Sequence, residues 1–248
     1  MNTEKNTDNK NMCEKAKEKA PSISTTNSVG MDFMLIPAGE FYLDPSEFSY
    51  DIPVKVTIKE SFYLGKYQVT QKQWKTVMGN EPSCFEGDDR PVECITWNEV
   101  RNFIKRLNEM ENTDKYRLPS EIEWEYACRA KIDSEYFFGS QDMELDEYAW
   151  YYLNSQDGTH PVGQKKPNPW GLHDMYGNVW EWCQNRYHRN YEEALAEGTA
   201  WETVGSIGIV LRGGGWVSYP EKCRSSCRSS FDSDYGSYSV GFRLLMAL

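Results

Sequence analysis

The sequence predicts a single α+β domain in which two main helices and small sheets support long loops. Short runs typical of strands occur near both ends of the chain, and two capped amphipathic helices lie between them. The 248 residues suffice for one large domain with a full core. Nine Trp and 16 Tyr indicate that this core is rich in large flat side chains.

The beginning of the chain is expected to be a tail. Residues 1–28 consist mainly of Asn, Lys, Glu, Thr and Ser, with little to bury, which predicts a disordered tail or linker. The folded domain is expected over residues 29–248. No run of 18 or more apolar residues is present, so no transmembrane segment is predicted.

Strands are predicted on either side of the helices. The range 33–41 predicts a strand, a turn with Pro and Gly, and a return strand. The range 54–58 alternates apolar and polar residues, and 62–69 follows it as another strand. Short strands return from Ile209 onwards, separated by Gly and polar loops.

The helices are predicted from their N-terminal caps. Thr70 can cap the first helix, with Gln73 as its reciprocal partner, and a second helix begins after Thr96. A shorter third helix is capped by Ser120, with Glu123 in the capping-box position. The expected buried stripes are Trp74, Val77 and Met78 in the first helix, and Val100, Phe103, Ile104 and Leu107 in the second.

Charge and cysteine content exclude several classes of protein. The 38 acidic and 27 basic residues give a net charge of -11, which repels phosphate backbones, so no nucleic-acid partner is expected. Seven scattered cysteines without a CxxC pair predict neither a disulfide framework nor a structural zinc site. The pairs Cys84/Cys94 and Cys223/Cys227 are candidates for a bridge, although buried free thiols are more common.

Four segments resemble one family by their order and spacing. They are FMLIPAGEF at 33–41, RLPSEIEWEYA at 117–127, GLHDMYGNVWEW at 171–182 and RGGGW at 212–216, followed by GFR at 241–243. Together they resemble the FGE-sulfatase family, named for the formylglycine-generating enzymes, over roughly residues 30–248. The resemblance implies a C-type-lectin-like fold, with two main helices and small twisted antiparallel sheets that support long loops.

The second of these segments is rich in charge. Arg117 and the carboxylates Glu121, Glu123 and Glu125 are expected to form a charged network at the head of the third helix. Structural ion pairs are favoured over a catalytic role for these residues.

The resemblance also implies a candidate calcium site in the third segment. In the family's enzymes a side-chain oxygen, two backbone carbonyls and a Glu bind calcium there, and the matching positions are Asp174, Gly177, Val179 and Glu181. All four can supply oxygen, the ligand atom that calcium requires. A turn held by hydrogen bonds of Asp174 without metal is the alternative, and both stay open. No cofactor is expected to be required.

The catalytic cysteines of the family are not matched. Enzymes of the formylglycine-generating type carry two cysteines five residues apart after the Gly-Gly motif, because both thiolates bind one copper ion. The matching positions are Ser218 and Cys223, so at most one thiol is retained. The sequence therefore predicts that the protein is not an enzyme.

The segment 217–239 has the composition of an antibody-type binding surface. It contains eight Ser and three Tyr; Tyr gives broad contact at little entropy cost, and Ser adapts to many hydrogen-bonding partners. On composition alone, an ordinary polar loop is the alternative.

Resemblance favours the binding surface, because the motifs around this segment are similar to those of the variable proteins of diversity-generating retroelements. In such proteins mutated template adenines turn Asn codons into a defined set of residues. The positions of reachable types, expected to contact a ligand, are Val217, Ser218, Tyr219, Cys227, Ser229, Ser230, Phe231, Tyr235, Ser237, Tyr238 and Ser239. The expected invariant residues beneath them are Arg212, Trp216, Arg224, Arg228, Phe242 and Arg243.

These observations predict a receptor-type variable protein that binds an unknown protein or other macromolecule. Display at the cell surface, as a lipoprotein whose signal is missing from this sequence, is expected over a cytoplasmic location. The oligomeric state stays open. Two alternatives are a formylglycine-generating-type oxidase that acts on a substrate cysteine and a calcium-dependent carbohydrate binder.

Overall fold

Three capped α-helices lie between the strands of two main sheets. The computed structural model of the protein describes residues 23–43, 54–187 and 208–248. The helices are α1 (Gln71–Met78), α2 (Trp97–Glu111) and α3 (Glu121–Arg129). Each follows a hydroxyl residue, Thr70, Thr96 or Ser120, that forms a reciprocal capping box with the residue three positions later. The predicted starts of all three helices are confirmed.

Thirteen short strands occur in the described ranges. They are β1 (Ser24–Thr26), β2 (Asp32–Ile36), β3 (Gly39–Leu43), β4 (Val54–Ile58), β5 (Phe62–Gly65), β6 (Tyr116–Arg117), β7 (Ala149–Trp150), β8 (Tyr176–Gly177), β9 (Trp180–Arg186), β10 (Ile209–Arg212), β11 (Arg228–Phe231), β12 (Val240–Gly241) and β13 (Leu245–Met246). They form a five-stranded sheet β1-β2-β5-β13-β6, a four-stranded sheet β11-β10-β9-β12, and the pairs β3-β4 and β7-β8.

Two strand pairs differ from the expected antiparallel arrangement. β12 runs parallel to β9, and β7 runs parallel to β8. Parallel neighbours require a connection that returns the chain to the starting end of the sheet, and the loops before β8 and β12 provide it. The remaining named pairs are antiparallel.

Three predicted boundaries are corrected. β1 pairs with β2 in the register Ser24↔Met34, so the folded part starts before residue 29; residues 1–22 of the expected tail lie outside the described ranges. The return strand β3 pairs with β4 and not with β2, because the chain bends away at Pro37, whose carbonyl accepts from the Tyr126 hydroxyl at 2.9 Å. The strand predicted over 62–69 ends at Gly65.

An aromatic cluster joins α1 and α2 to the end of the chain. Trp74 and Phe103 stack with ring centroids 5.3 Å apart, and Phe242 meets both rings edge-on at 6.2 and 5.3 Å. All three side chains are fully buried. None of the helices in the described ranges has the length and apolar character needed to cross a bilayer.

Buried ion pairs connect α3 to the strands on either side of the segment 217–227. Glu125 pairs with Arg212 of β10 and with Arg129 at 2.8 Å, and Glu121 binds Arg228 of β11 through two contacts of 2.7 and 3.0 Å. All these side chains are almost completely buried. The four residues predicted as one charged network therefore divide in two: Arg117 pairs with Glu123 at 2.6 Å on its own, while Glu121 and Glu125 hold the last segment.

Removing one of these carboxylates is expected to destabilise the fold. Glu125→Ala takes the negative charge away from two buried arginines, and breaking a buried pair in this way typically costs about 3–5 kcal/mol. Urea unfolding of the variant should show this loss in the free energy of unfolding.

A surface pair provides the control. Lys55 and Glu40 lie 2.7 Å apart with both side chains about half exposed, so Lys55→Ala should leave stability almost unchanged. If both substitutions change the free energy of unfolding by the same small amount, Glu125 does not stabilise the fold as described.

Candidate functional site

The eleven positions predicted to contact a ligand lie at three different depths. Tyr219, Tyr235 and Tyr238 are exposed, each with more than half of its surface accessible. Val217, Ser229, Ser230 and Phe231 are half-buried. Ser218, Cys227, Ser237 and Ser239 are buried, with at most 8% of their surface accessible.

The buried serines support the loop from within. Ser218 Oγ accepts from the Gly215 amide at 2.9 Å, and Ser237 Oγ accepts from the Ser239 amide at 3.3 Å. These contacts hold short turns that side chains facing solvent would not stabilise. The structure therefore differs from the expectation that all eleven positions offer surface to a ligand; the three tyrosines supply most of it.

Aromatic contacts extend this surface beyond the predicted segment. Tyr219 lies 4.7 Å from the ring of Tyr152, which is itself half exposed, and the Tyr152 amide donates to the Ser218 carbonyl at 3.0 Å. Trp216 contacts both Tyr238 at 5.6 Å and Phe85 at 5.3 Å. The sequence did not predict a role for Tyr152 and Phe85, because both are far from residues 217–239 in the chain and no motif connects them.

The residues expected to be invariant lie mostly underneath. Arg212, Phe242 and Arg243 are fully buried. Arg212 Nη1 donates to the carbonyls of Ser226 and Cys227, at 2.9 and 2.7 Å, so it fixes the backbone of the segment without using its side chains. Trp216 is half-buried, and its Nε1 donates to the Tyr238 carbonyl at 3.1 Å.

The four candidate calcium residues are brought together around one atom. The carbonyl oxygens of Asp174, Gly177 and Val179 lie 3.3, 3.3 and 3.0 Å from Gln68 Nε2, and Glu181 Oε1 lies 3.0 Å from it. All four neighbours are acceptors, which assigns the nitrogen of the amide to this position. The Gln68 amide nitrogen thus occupies the centre of the four oxygens.

The contribution of Asp174 differs from what the resemblance implies. Its backbone oxygen, and not its side chain, points to the centre, while Oδ2 accepts from the Gly163 amide at 2.7 Å. Burial raises the pKa of this carboxyl to about 6.

The charge of Glu181 is already compensated. Arg243 donates to both of its oxygens at 2.7 Å, and Trp124 Nε1 donates to Oε2 at 2.6 Å. A cation and the amide nitrogen of Gln68 exclude each other at the centre. Calcium therefore fits these residues only if Gln68 turns its nitrogen away.

The candidate oxidase positions do not form a thiol pair. Ser218 carries a hydroxyl engaged with Gly215, and Cys223 is fully buried against Gly214, where an added Cβ would lie 2.7 Å from Sγ. Burial raises the pKa of the Cys223 thiol well above its ordinary value, so it stays protonated. Full burial also leaves this thiol inaccessible to a copper ion from solvent.

Comparison with known proteins identifies similar sequences and folds. Residues 19–248 match the FGE-sulfatase family, described as the sulfatase-modifying factor enzyme 1-like domain. The chain is 33% identical to the chaperone protein LppX of Paenibacillus barcinonensis, over 91% of this chain and 93% of that one. It is 27% identical to the formylglycine-generating enzyme of Streptomyces coelicolor over 68% of this chain, an alignment that spans only 57% of the enzyme.

One solved structure has a similar fold over almost the whole length of this chain. The Treponema denticola variable protein 1 superposes with a TM-score of 0.80 and 28% identity, covering 92% of this chain and all of the other. The predicted C-type-lectin-like fold, and the likeness to variable proteins, are confirmed.

The position of Gln68 predicts how the protein responds to calcium. We expect calcium or a chelator to leave the melting temperature of the natural protein unchanged. Gln68→Glu places a carboxylate among four oxygen acceptors, so it should lower the free energy of unfolding by about 3 kcal/mol or more. Calcium should then recover much of this loss, because the new carboxylate is a suitable ligand.

Gln73→Glu is the matched control. It makes the same change at a capping-box position that accepts Glu, and it should show no calcium response. A saturable rise in melting temperature of the natural protein with calcium would contradict the arrangement of Gln68 described above.

Proposed function

The chain belongs to the FGE-sulfatase family of sulfatase-modifying factor enzyme 1-like domains, and we propose that within this family it is a ligand-binding protein diversified by a retroelement. The observation that carries the proposal is the exposure of Tyr219, Tyr235 and Tyr238 on a segment whose backbone is held from below. Tyrosine is a rigid, amphipathic anchor that suits a broad contact surface.

The ligand we propose is a protein or another macromolecule. The exposed tyrosines belong to separate aromatic contacts, with Tyr152, with Trp216 and with Phe231, so they offer an extended surface and not one enclosed pocket. Extended surfaces with a few aromatic anchors are typical of macromolecular interfaces. The proposal includes display at a cell surface, where a macromolecular ligand of another cell is accessible.

Diversification requires that folding does not depend on the side chains that vary most, which here are the exposed tyrosines. The ion pairs of Glu121 and Glu125 and the hydrogen bonds of Arg212 to backbone carbonyls supply this independence. All three residues lie outside the set of eleven positions. The similarity in fold to the Treponema denticola variable protein 1 also supports the proposal.

Oxidase activity is the first alternative, since the family includes enzymes. The hydroxyl of Ser218 and the full burial of the Cys223 thiol argue against it, because copper chemistry needs two accessible thiolates. A calcium-dependent carbohydrate binder is the second alternative. It needs a calcium ion with open positions at the surface, and Glu181 and Asp174 are instead buried around Gln68.

A binder with a fixed surface is the remaining candidate. The specific observation in its favour is the similarity to the chaperone protein LppX over 91% of this chain. A chaperone also binds another chain, so variability of the segment 217–239 distinguishes the two functions.

Sequencing the gene and its surroundings in many sister isolates tests the proposal. We expect substitutions confined to residues 217–239, at sites templated by adenine, with a near-copy of the coding segment and a reverse transcriptase gene nearby. The exposed Tyr219, Tyr235 and Tyr238 should vary most. Uniform segments without a template copy would contradict diversification and favour the fixed binder.

Two variants check the structural side of this prediction. Tyr219→Asn should change the free energy of unfolding by about 1 kcal/mol or less, because it removes contacts with Tyr152 at the exposed surface. Ser225→Asn, in the same segment but fully buried against Tyr176, should destabilise by several times as much.

The oxidase alternative is tested with a peptide that carries the formylglycine consensus cysteine. The chain, supplied with copper and oxygen, should form no aldehyde above background, with a formylglycine-generating enzyme as the positive control. Aldehyde formation that Cys223→Ser abolishes would show that the protein is an enzyme.

A further inference from the structure

Two thiols outside the segment 217–239 lie in contact. Cys84 Sγ and Cys94 Sγ are 2.8 Å apart, about 0.8 Å beyond the ~2.05 Å length of a disulfide bond. Cys84 is exposed and Cys94 is half-buried, so neither is the fully buried free thiol that is the more common case. A small displacement of the side chains therefore suffices to join them.

The backbone of Cys94 adopts a conformation that cysteine rarely takes. Its φ is +60°, in the left-handed region that favours Gly and Asn. The Cys94 amide donates to the Ser237 carbonyl at 2.9 Å, which fixes this conformation. A cysteine held in an unfavourable backbone region points to a role for its side chain.

A buried carboxyl group accompanies the two sulfurs. One carboxyl oxygen of Glu93 lies within 4.8 Å of both sulfurs, and the side chain is fully buried. Glu93 Oε1 accepts from the Phe85 amide at 2.9 Å, while Oε2 has no hydrogen-bond partner. Burial raises the pKa of this carboxyl group, so Glu93 accepts a proton more readily than an exposed Glu. Burial also raises the pKa of the Cys94 thiol, so this thiol needs a neighbouring base to react.

We propose that Cys84 and Cys94 are a modification site, a thiol pair that a low-molecular-weight disulfide oxidises to an intramolecular disulfide with Glu93 as the base. The exposed Cys84 attacks the oxidant as a thiolate, which forms a mixed disulfide and releases one thiolate of the oxidant. Cys94 then attacks Cys84 Sγ, its proton passes to Glu93, and the second thiolate leaves. Both cysteines are oxidised, and one disulfide is reduced to two thiols.

The distance between the sulfurs favours this chemistry over a metal site. Two thiolates that bind one zinc tetrahedrally at ~2.3 Å are roughly 3.8 Å apart, farther than the 2.8 Å seen here. The inference concerns a loop outside the proposed binding segment and does not depend on the proposed function.

The experiment uses the full chain, reduced and then equilibrated with glutathione disulfide at mildly alkaline pH. After free thiols are alkylated, digestion and mass spectrometry should find a peptide that joins Cys84 to Cys94, lighter by two hydrogens. The bond closes a short loop, so the melting temperature should rise by roughly 5–10 °C. Absence of this peptide, or a lasting glutathione adduct on Cys84, would overturn the proposal.

Two variants keep the test independent of misfolding. Cys94→Asn suits the left-handed backbone and should fold, yet its Cys84 should stop at the glutathione adduct without the rise in melting temperature. Glu93→Gln should slow the second step by about tenfold or more while the same bond forms in the end. Protection of both thiols by zinc alone, without a linked peptide, would assign a metal site instead.

Discussion

The carboxylate of Glu181 is the contact on which most of the chain depends. It lies fully buried at the start of β9 and accepts from Arg243 near the C-terminus, from Trp124 of α3 and from Gln68 between β5 and α1. A charge this deep is tolerated only when donors surround it, so the folded state requires all four parts of the chain to meet at this carboxylate. Gln68 extends the same network to three backbone carbonyls of the turn before β9.

Helix α3, which carries Trp124, also anchors the last segment of the chain. Its carboxylates Glu121 and Glu125 hold Arg228 and Arg212, and these arginines fix the backbone without contacts from the predicted ligand-binding side chains. The same scaffold therefore serves relatives named as enzymes and others named as variable proteins.

Most of the fold was predictable, because local chemistry determines it. Thr70, Thr96 and Ser120 cap their helices as their sequence context requires. The burial of each residue was not predictable from composition, since Ser237 and Ser239 are buried and hydrogen-bonded inside a turn, whereas Ser229 and Ser230 of the same residue type are only half-buried. Contacts between loops could not be predicted from the sequence either. Examples are the position of Gln68 among four oxygens, the contact of Tyr152 with Tyr219, and the proximity of Cys84 to Cys94.

The loop 232–239 lies between two strands of the same sheet, and this affects the rate of binding. β11 pairs with β10 and β12 pairs with β9 in one sheet, so the loop 232–239 is held at both ends before any partner arrives. A surface ordered in advance binds without a slow rearrangement. Under the proposed function, variants that differ only in exposed side chains should then share similar association rates, and their residence time on a ligand should distinguish them.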